Sequence, residues 1–176
     1  MTIPSKALLL AGGLILLAAC GNNADEASSA PQLTAATLGS QVILTVPEYL
    51  ALEQFSATDR KNGERQAQIC KACHSTVEGG PNMIGPALYG FFGKPAASHD
   101  GFDYSDALLD ANFVWTPRAL DAWLAQPGRF LPGNRMTFAG VFKQRDRDDL
   151  IAYLLEETSG NEIGGTEIDS SEAIQP

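Results

Sequence analysis

Three neighbouring side chains in this sequence can bind a metal or form a covalent bond with a cofactor. They lie in the stretch Cys70-Lys71-Ala72-Cys73-His74. Two thiols at this spacing can form thioethers with the two vinyl groups of one haem, and the adjacent imidazole is then held against the iron. The stretch predicts one haem, attached covalently through Cys70 and Cys73 and bound through His74.

Two other kinds of site would use the same pair of cysteines. A redox-active cysteine pair needs no following histidine and usually lies at the end of a strand in an α/β pattern, which this sequence lacks. A structural zinc site needs four ligands, and Cys20 is the only cysteine outside the pair. Both interpretations are weaker than haem attachment.

A second axial ligand could come from His99, Met83 or Met136. Met136 lies in an apolar loop rich in proline and glycine, residues 130–140. Such a loop can hold a thioether rigidly, and a methionine ligand raises the reduction potential of haem iron. His99 lies in a polar stretch typical of a solvated loop. Local composition favours Met136 but leaves His99 open.

The N-terminus has the pattern of an export signal. An apolar run from Ala7 to Ala19 follows the single charged residue Lys6, and it is too short for a hydrocarbon core of about 30 Å. The run ends in Leu17-Ala18-Ala19-Cys20, which resembles the lipobox of bacterial lipoproteins. We therefore expect a signal peptide over 1–19 and lipidation of Cys20, which would tether the protein to a membrane.

Charge and composition divide the remaining chain. The net charge is −9, which argues against nucleic acid as a partner. The acidity lies in the flanks, whereas residues 57–155 are balanced. We expect a tether over 20–56 that includes a short apolar segment at 41–55, a domain over 57–158, and an acidic, disordered tail over 159–176.

The elements that position the haem motif are predicted to be helices. About four are expected, at 58–72, 104–110, 117–126 and 146–157. The third has Thr116 as its N-cap and Pro117 at its first position, with Leu120, Trp123 and Leu124 on one face. Glycine- and proline-rich loops without strand alternation connect them. The fold class is all-α, with long loops wrapped around one covalent haem.

From residue 63 to residue 155 the sequence resembles the class I cytochromes c, in the branch of mitochondrial cytochrome c and bacterial cytochrome c2. The motifs that carry the resemblance follow in order: Cys70-x-x-Cys73-His74, Gly85-Pro86-x-Leu88, Gly90-x-Phe92-Gly93, Gly101-Phe102-x-Tyr104-Ser105-Asp106-Ala107, Trp115, Leu120, Leu124, Pro127, Pro132-Gly133-x-Arg135-Met136-x-Phe138-x-Gly140 and Arg147-x-Asp149-Leu150-Ile151-Ala152-Tyr153-Leu154.

The resemblance implies a role for each matching residue. His74 and Met136 would bind the iron, and the Pro86 carbonyl would accept a hydrogen bond from the His74 ring. The remaining cofactor-binding residues would contact a propionate (Tyr104, Trp115, with Ser105 assisting), lie near the methionine ligand (Trp123, Asn134), or cover the exposed haem edge (Phe138).

The sequence also departs from the family pattern. Ala67 stands where the first helix usually presents an aromatic to the last, so we expect a weaker contact there or one filled by 41–55. Leu108 and Trp123 replace usual polar and tyrosine residues near the haem. Several positions that carry lysine in the mitochondrial proteins hold no base here: Glu64, Ile69, Met83 and Gly128. We therefore expect weak long-range steering toward partners and a shallow dependence on salt.

The function implied by the resemblance is single-electron transfer, without enzymatic activity. The expected partners are a quinol-oxidising complex and a terminal oxidase or reductase of a respiratory or photosynthetic chain. We expect a monomer in the bacterial cell envelope, facing the periplasm and anchored through Cys20. A fixed electron-entry or haem-sensor domain of a larger complex, and less favourably a haem peroxidase, stay open as alternatives.

Overall fold

A computed structural model describes residues 33–160 and 166–168. Within them the α-helices are α1 (Val46–Leu50), α2 (Arg60–Lys71), α3 (Asp106–Leu109), α4 (Pro117–Ala125), α5 (Pro127–Phe130) and α6 (Gln144–Thr158). Two short 3₁₀ turns cover Ala35–Thr37 and Glu53–Phe55, and two strands, β1 (Gln41–Ile43) and β2 (Thr166–Ile168), complete the described elements. The predicted signal peptide and Cys20 lie outside the described residues.

The predicted helical fold is confirmed, with six helices among the described residues instead of about four. Local capping explains where the longer ones begin. Asp59 accepts hydrogen bonds from the main-chain N–H groups of Lys61 and Asn62 at the start of α2. Thr116 accepts one from Ala119 at the start of α4. Helices α1 and α5 were not among the four predicted, and α5 has Pro127 at its first position.

Helices α2 and α6 cross with their backbones close together. A Cβ atom built on Gly63 would lie 2.2 Å from the main-chain oxygen of Asp149 and 2.7 Å from Cβ of Tyr153. One turn later, Ala67 is fully buried. Two small residues in α2 therefore allow the helices to approach where an aromatic was expected, and residues 46–50 and 53–55 also contact α6.

Residues 33–56 pack onto the domain, ahead of the predicted boundary at residue 57. The Gln41 amide, which is buried, donates to Val114 O (2.7 Å) and Thr116 Oγ1 (2.8 Å) and accepts from Val114 N (2.9 Å). Tyr49 and Phe55 are buried in the core cluster. The apolar segment noted at 41–55 is thus part of the domain's packing.

The C-terminal flank contains one described strand. Strand β2 pairs antiparallel with β1, with Gln41 opposite Ile168 and Ile43 opposite Thr166. This strand lies within the predicted acidic tail over 159–176, of which residues 161–165 and 169–176 lie outside the described part. In the described residues, none of the helices has the length and apolarity that a membrane span requires.

The α2–α6 contact gives a stability prediction. Gly63→Ala should lower the free energy of unfolding by about 1–3 kcal/mol, because the added Cβ overpacks against the α6 backbone. Gly128→Ala is the matched control: it also lies in a helix, but a Cβ there meets nothing within 4 Å. The control should keep or slightly raise stability, since alanine favours helix. Denaturant unfolding of the haem-loaded protein, followed by circular dichroism, measures both, and equal effects would contradict the close crossing.

Candidate functional site

Of the predicted haem-site residues, all except Asn134 line one cavity of about 930 Å³. Cys70 and Cys73 contribute from the end of α2, His74 directly follows them, and Met136 contributes from the loop before α6. Among the described residues, no group of three or more His, Cys, Asp or Glu side chains could hold a metal ion.

The cysteine pair lies in a tight turn at the C-terminal end of α2. The main-chain N–H groups of Cys73 and His74 both donate to the carbonyl of Cys70, at 3.1 and 2.9 Å. Cys70 is buried, and this burial raises the pKa of its thiol to about 11. The two cysteines form no disulfide with each other, so both sulfurs are available for thioether bonds.

The His74 ring is fixed by a hydrogen bond of its Nδ1 to the carbonyl oxygen of Pro86, at 2.7 Å. Since a carbonyl only accepts, Nδ1 carries the proton and Nε2 keeps a free lone pair. Burial lowers the pKa of His74, and the hydrogen bond to Pro86 partly opposes that effect. The lowered pKa and the proton on Nδ1 both suit a neutral imidazole that binds a metal through Nε2.

Gly85 leaves the space that the His74 ring occupies. A Cβ atom at this position would lie 2.2 Å from Cε1 of His74. The Gly85 N–H also donates to the carbonyl of Cys73 (2.9 Å), which ties the loop to the haem motif. Both residues therefore position the His74 ring. Gly85 leaves room for it because it has no side chain, and the Pro86 carbonyl accepts its hydrogen bond.

The loop that carries Met136 is held by Asn134. Nδ2 of Asn134 donates to the carbonyls of Pro127 (3.0 Å) and Leu131 (2.7 Å), and its Oδ1 accepts from the Met136 N–H (2.9 Å). Asn134 itself is not among the residues that line the cavity. The resemblance had implied a place near the methionine ligand; the structure gives Asn134 the role of positioning the loop.

A group of aromatic rings forms one wall of the cavity. Trp115 and Trp123 line it and meet edge to face, with ring centroids 5.4 Å apart. Phe113 and Phe130 pack behind them in the same geometry, at 4.8 Å from Trp115 and 6.0 Å from Trp123. Such edge-to-face pairs add about 0.5–1.5 kcal/mol each beyond area burial. Trp123 is therefore both a core residue and part of the site.

Hydroxyl groups and cations also line the cavity. Tyr104 is one of the lining residues, and burial raises the pKa of its phenol. Ser105 also lines the cavity, while its hydroxyl accepts from the Leu108 N–H (3.4 Å) as the N-cap of α3. Lys94 and Arg135 are further lining residues that the sequence analysis did not assign to the site. Lys94 directly follows the Gly90-x-Phe92-Gly93 motif, which was the available signal.

The other candidates for an axial ligand are placed differently. His99 lines the cavity, in the stretch that also contains Tyr104. Met83 is about half exposed and is not among the lining residues. Phe138 lines the cavity from the loop that carries Met136.

The lining of the cavity fits a haem. It offers two thiols for thioether bonds, an imidazole with a free Nε2 and a thioether for the iron, aromatic rings for the flat macrocycle, and cations for the carboxylates.

Comparison with known proteins finds clear relatives. No family model matches the chain. Cytochrome c of Trypanosoma brucei brucei is 46% identical over 80 residues, which are 46% of this chain and 86% of the relative. Cytochrome c2 of Agrobacterium tumefaciens is 40% identical over 100 residues, 55% of this chain and 90% of the relative. Cytochrome c-550 of Ancylobacter novellus is 46% identical over 88 residues, 48% and 82% respectively.

The hydrogen bonds of Asn134 lead to a prediction about the methionine loop. Asn134→Ala removes bonds worth about 0.5–1.5 kcal/mol each, so the loop should release Met136 more easily. The far-red absorption band of ferric, methionine-bound haem should then disappear at a lower denaturant concentration than in the wild type. Gln126→Ala, which shortens an exposed amide side chain nearby, should leave the band as resistant as before. Equal resistance in both variants would show that Asn134 does not hold the loop.

Proposed function

The chain belongs to the cytochrome c family, and on that premise we propose that it is a lipid-anchored electron carrier of a respiratory or photosynthetic chain. Members of this family carry one covalent haem c and transfer electrons without acting as enzymes. The observation that supports this function best is the shared cavity of Cys70, Cys73, His74 and Met136. An imidazole and a thioether together can occupy both axial positions of an iron.

Bound haem supplies an iron that accepts one electron from a donor and gives one to an acceptor. The residues of this chain would hold the two side chains that bind the iron in fixed positions. The Pro86 carbonyl holds the His74 ring in one tautomer, and Asn134 keeps Met136 in place. His74 and Met136 would both hold the iron and would leave it no open position for a substrate, which favours a carrier over a peroxidase.

The place in the cell is inferred from the N-terminal sequence. The Leu17-Ala18-Ala19-Cys20 motif supports lipidation of Cys20 after export, and the domain would then face the periplasm. Several acyl chains on one residue give stable anchoring, whereas one chain binds only marginally. A lipid on Cys20 would confine the domain near the membrane, which raises its effective concentration for membrane-bound partners.

The partners follow from that location. We infer that a quinol-oxidising complex supplies the electron and that a terminal oxidase or reductase accepts it. The domain would act as a monomer. A carrier confined near its partners needs little electrostatic attraction over long distances, which agrees with the balanced charge of residues 57–155.

The axial ligand can be tested by redox-titrated optical spectra of the detergent-solubilised protein. The ferric wild type should show the far-red band of methionine-bound haem. Met136→Ala should lose the band and have a lower reduction potential, because a methionine ligand raises it. Met83→Ala is the control, since Met83 does not line the cavity. A high-spin wild type without the band would contradict methionine ligation and favour peroxidase or ligand-binding chemistry.

The anchor can be tested by fractionation of cells that express the full chain. The wild type should be recovered in the membrane fraction and be released by detergent but not by high salt. Cys20→Ser should move the protein to the soluble fraction or leave it unprocessed with its signal peptide. The haem spectrum shows that the domain is intact in either case. If Cys20→Ser protein that has lost its signal peptide stayed in the membrane fraction at high salt, that result would contradict lipidation.

A further inference from the structure

Two sets of hydrogen bonds hold the segment that contains Trp115. Its main chain pairs with a neighbouring loop, where the Trp115 N–H donates to the Lys94 carbonyl and the Trp115 carbonyl accepts from the Gly93 N–H, both at 2.9 Å. The preceding residue, Val114, bonds instead to the Gln41 side chain. Because Trp115 and Lys94 line the haem cavity, both sets of bonds hold part of its wall.

Gln41 contributes to this wall from β1, ahead of the stretch 63–155 that resembles the cytochromes c. Its Nε2 donates to Val114 O (2.7 Å) and Thr116 Oγ1 (2.8 Å), and its Oε1 accepts from Val114 N (2.9 Å). These two partners are the residues on either side of Trp115 in the chain. All three bonded residues are buried, so water does not compete for the bonds, and they restrain the main chain firmly.

Ile43 gives β1 a second contact with the same wall. It is buried, and a Cβ atom built on Gly93 would lie 3.4 Å from its Cγ2. Gly93 is the residue whose N–H donates to the Trp115 carbonyl. Strand β1 therefore packs on both stretches that form this wall, although Gln41 and Ile43 are not among the residues that line the cavity.

The position of the Trp115 ring affects the energy of the iron's two oxidation states. A ferric haem carries one more positive charge than a ferrous one, so water or polar groups that reach it favour the ferric state. A closely packed indole excludes water, and its N–H can donate a hydrogen bond to a carboxylate of the cofactor. Displacement of Trp115 would therefore lower the reduction potential while both iron ligands stay in place.

We propose that Gln41 is a positioning residue for Trp115, and that through this ring residues 33–56 raise the reduction potential of the haem. The segment ahead of the haem-binding helices is then part of the cofactor's environment as well as of the domain's packing. The proposal needs the haem c of the family. It needs neither the lipid anchor nor the redox partners proposed above, so the two proposals fail separately.

The first test is a redox titration of the haem-loaded protein, followed by its optical spectrum. Gln41→Leu should shift the equilibrium about threefold toward the ferric form, which is a potential lower by about 30 mV at 59 mV per tenfold. Tyr49→Phe is the matched control, because it also removes a hydrogen bond of a buried residue in this segment, from the Tyr49 hydroxyl to Val42 O (2.9 Å). The control should keep the wild-type potential. The far-red band shows that Met136 is bound in each variant.

The second test asks whether the effect passes through Trp115. In a double-mutant cycle, Gln41→Leu should lower the potential of the wild type but not that of Trp115→Phe. The indole N–H resonance of Trp115, assigned by its loss in Trp115→Phe, gives a measurement that does not depend on the potential. In NMR spectra of the ferric protein it should move in Gln41→Leu and stay in place in Tyr49→Phe.

Three results would overturn the proposal. A wild-type potential in Gln41→Leu would leave Gln41 with a packing role only. An equal shift in Tyr49→Phe would mean that any loosening of the segment changes the potential. An equal effect of Gln41→Leu with and without Trp115 would exclude the route through the ring. If Gln41→Leu does not retain haem, Gln41→Asn, whose amide is one methylene shorter, enters the same cycle, and an unchanged potential there also overturns the proposal.

Discussion

The close crossing of α2 and α6 is the contact on which the rest of the structure depends. Helix α2 ends in the haem motif, so its position and rotation decide where the two thiols and the imidazole face. Because Gly63 has no Cβ, the two backbones can meet at Asp149, and the buried Asp149 carboxylate accepts from the Asp59 N–H (2.7 Å) and the Asn62 side chain (2.7 Å). The start of α2 is thereby fixed in both translation and rotation.

Side-chain amides form hydrogen bonds with main-chain groups of the loops, as neighbouring strands do with each other in a sheet. Gln41 bonds to both main-chain groups of Val114. Asn82 accepts from the Ala87 N–H (3.0 Å) and donates to Asp100 O (3.1 Å), which joins two loops at the cavity. Asn134 does the same for the methionine loop. Long loops carry many main-chain donors and acceptors that need partners. These three side chains provide partners for some of those groups.

The parts of the site that depend on local spacing could be predicted from the sequence. The haem motif, the cap at Thr116 and the apolar face of α4 are patterns within a few residues, and the structure contains the corresponding elements. Other features depend on residues far apart in the chain. The role of Gln41 needs its contact with Val114, and the pairing of β1 with β2 joins opposite ends of the domain. Periodicity carries no information about such contacts.

The attachment of residues 33–56 also determines how the domain responds to mechanical load. A pull transmitted along the chain from its N-terminal side reaches Leu33 and Ala35, which pack against the core, and then Leu38, whose carbonyl accepts from Arg118 (2.7 Å) and whose side chain is buried. It next meets the Gln41 amide and the β1–β2 ladder. These bonds share the force before it reaches α2. The haem motif is thus shielded from tension by a segment that lies outside the helices which bind the cofactor.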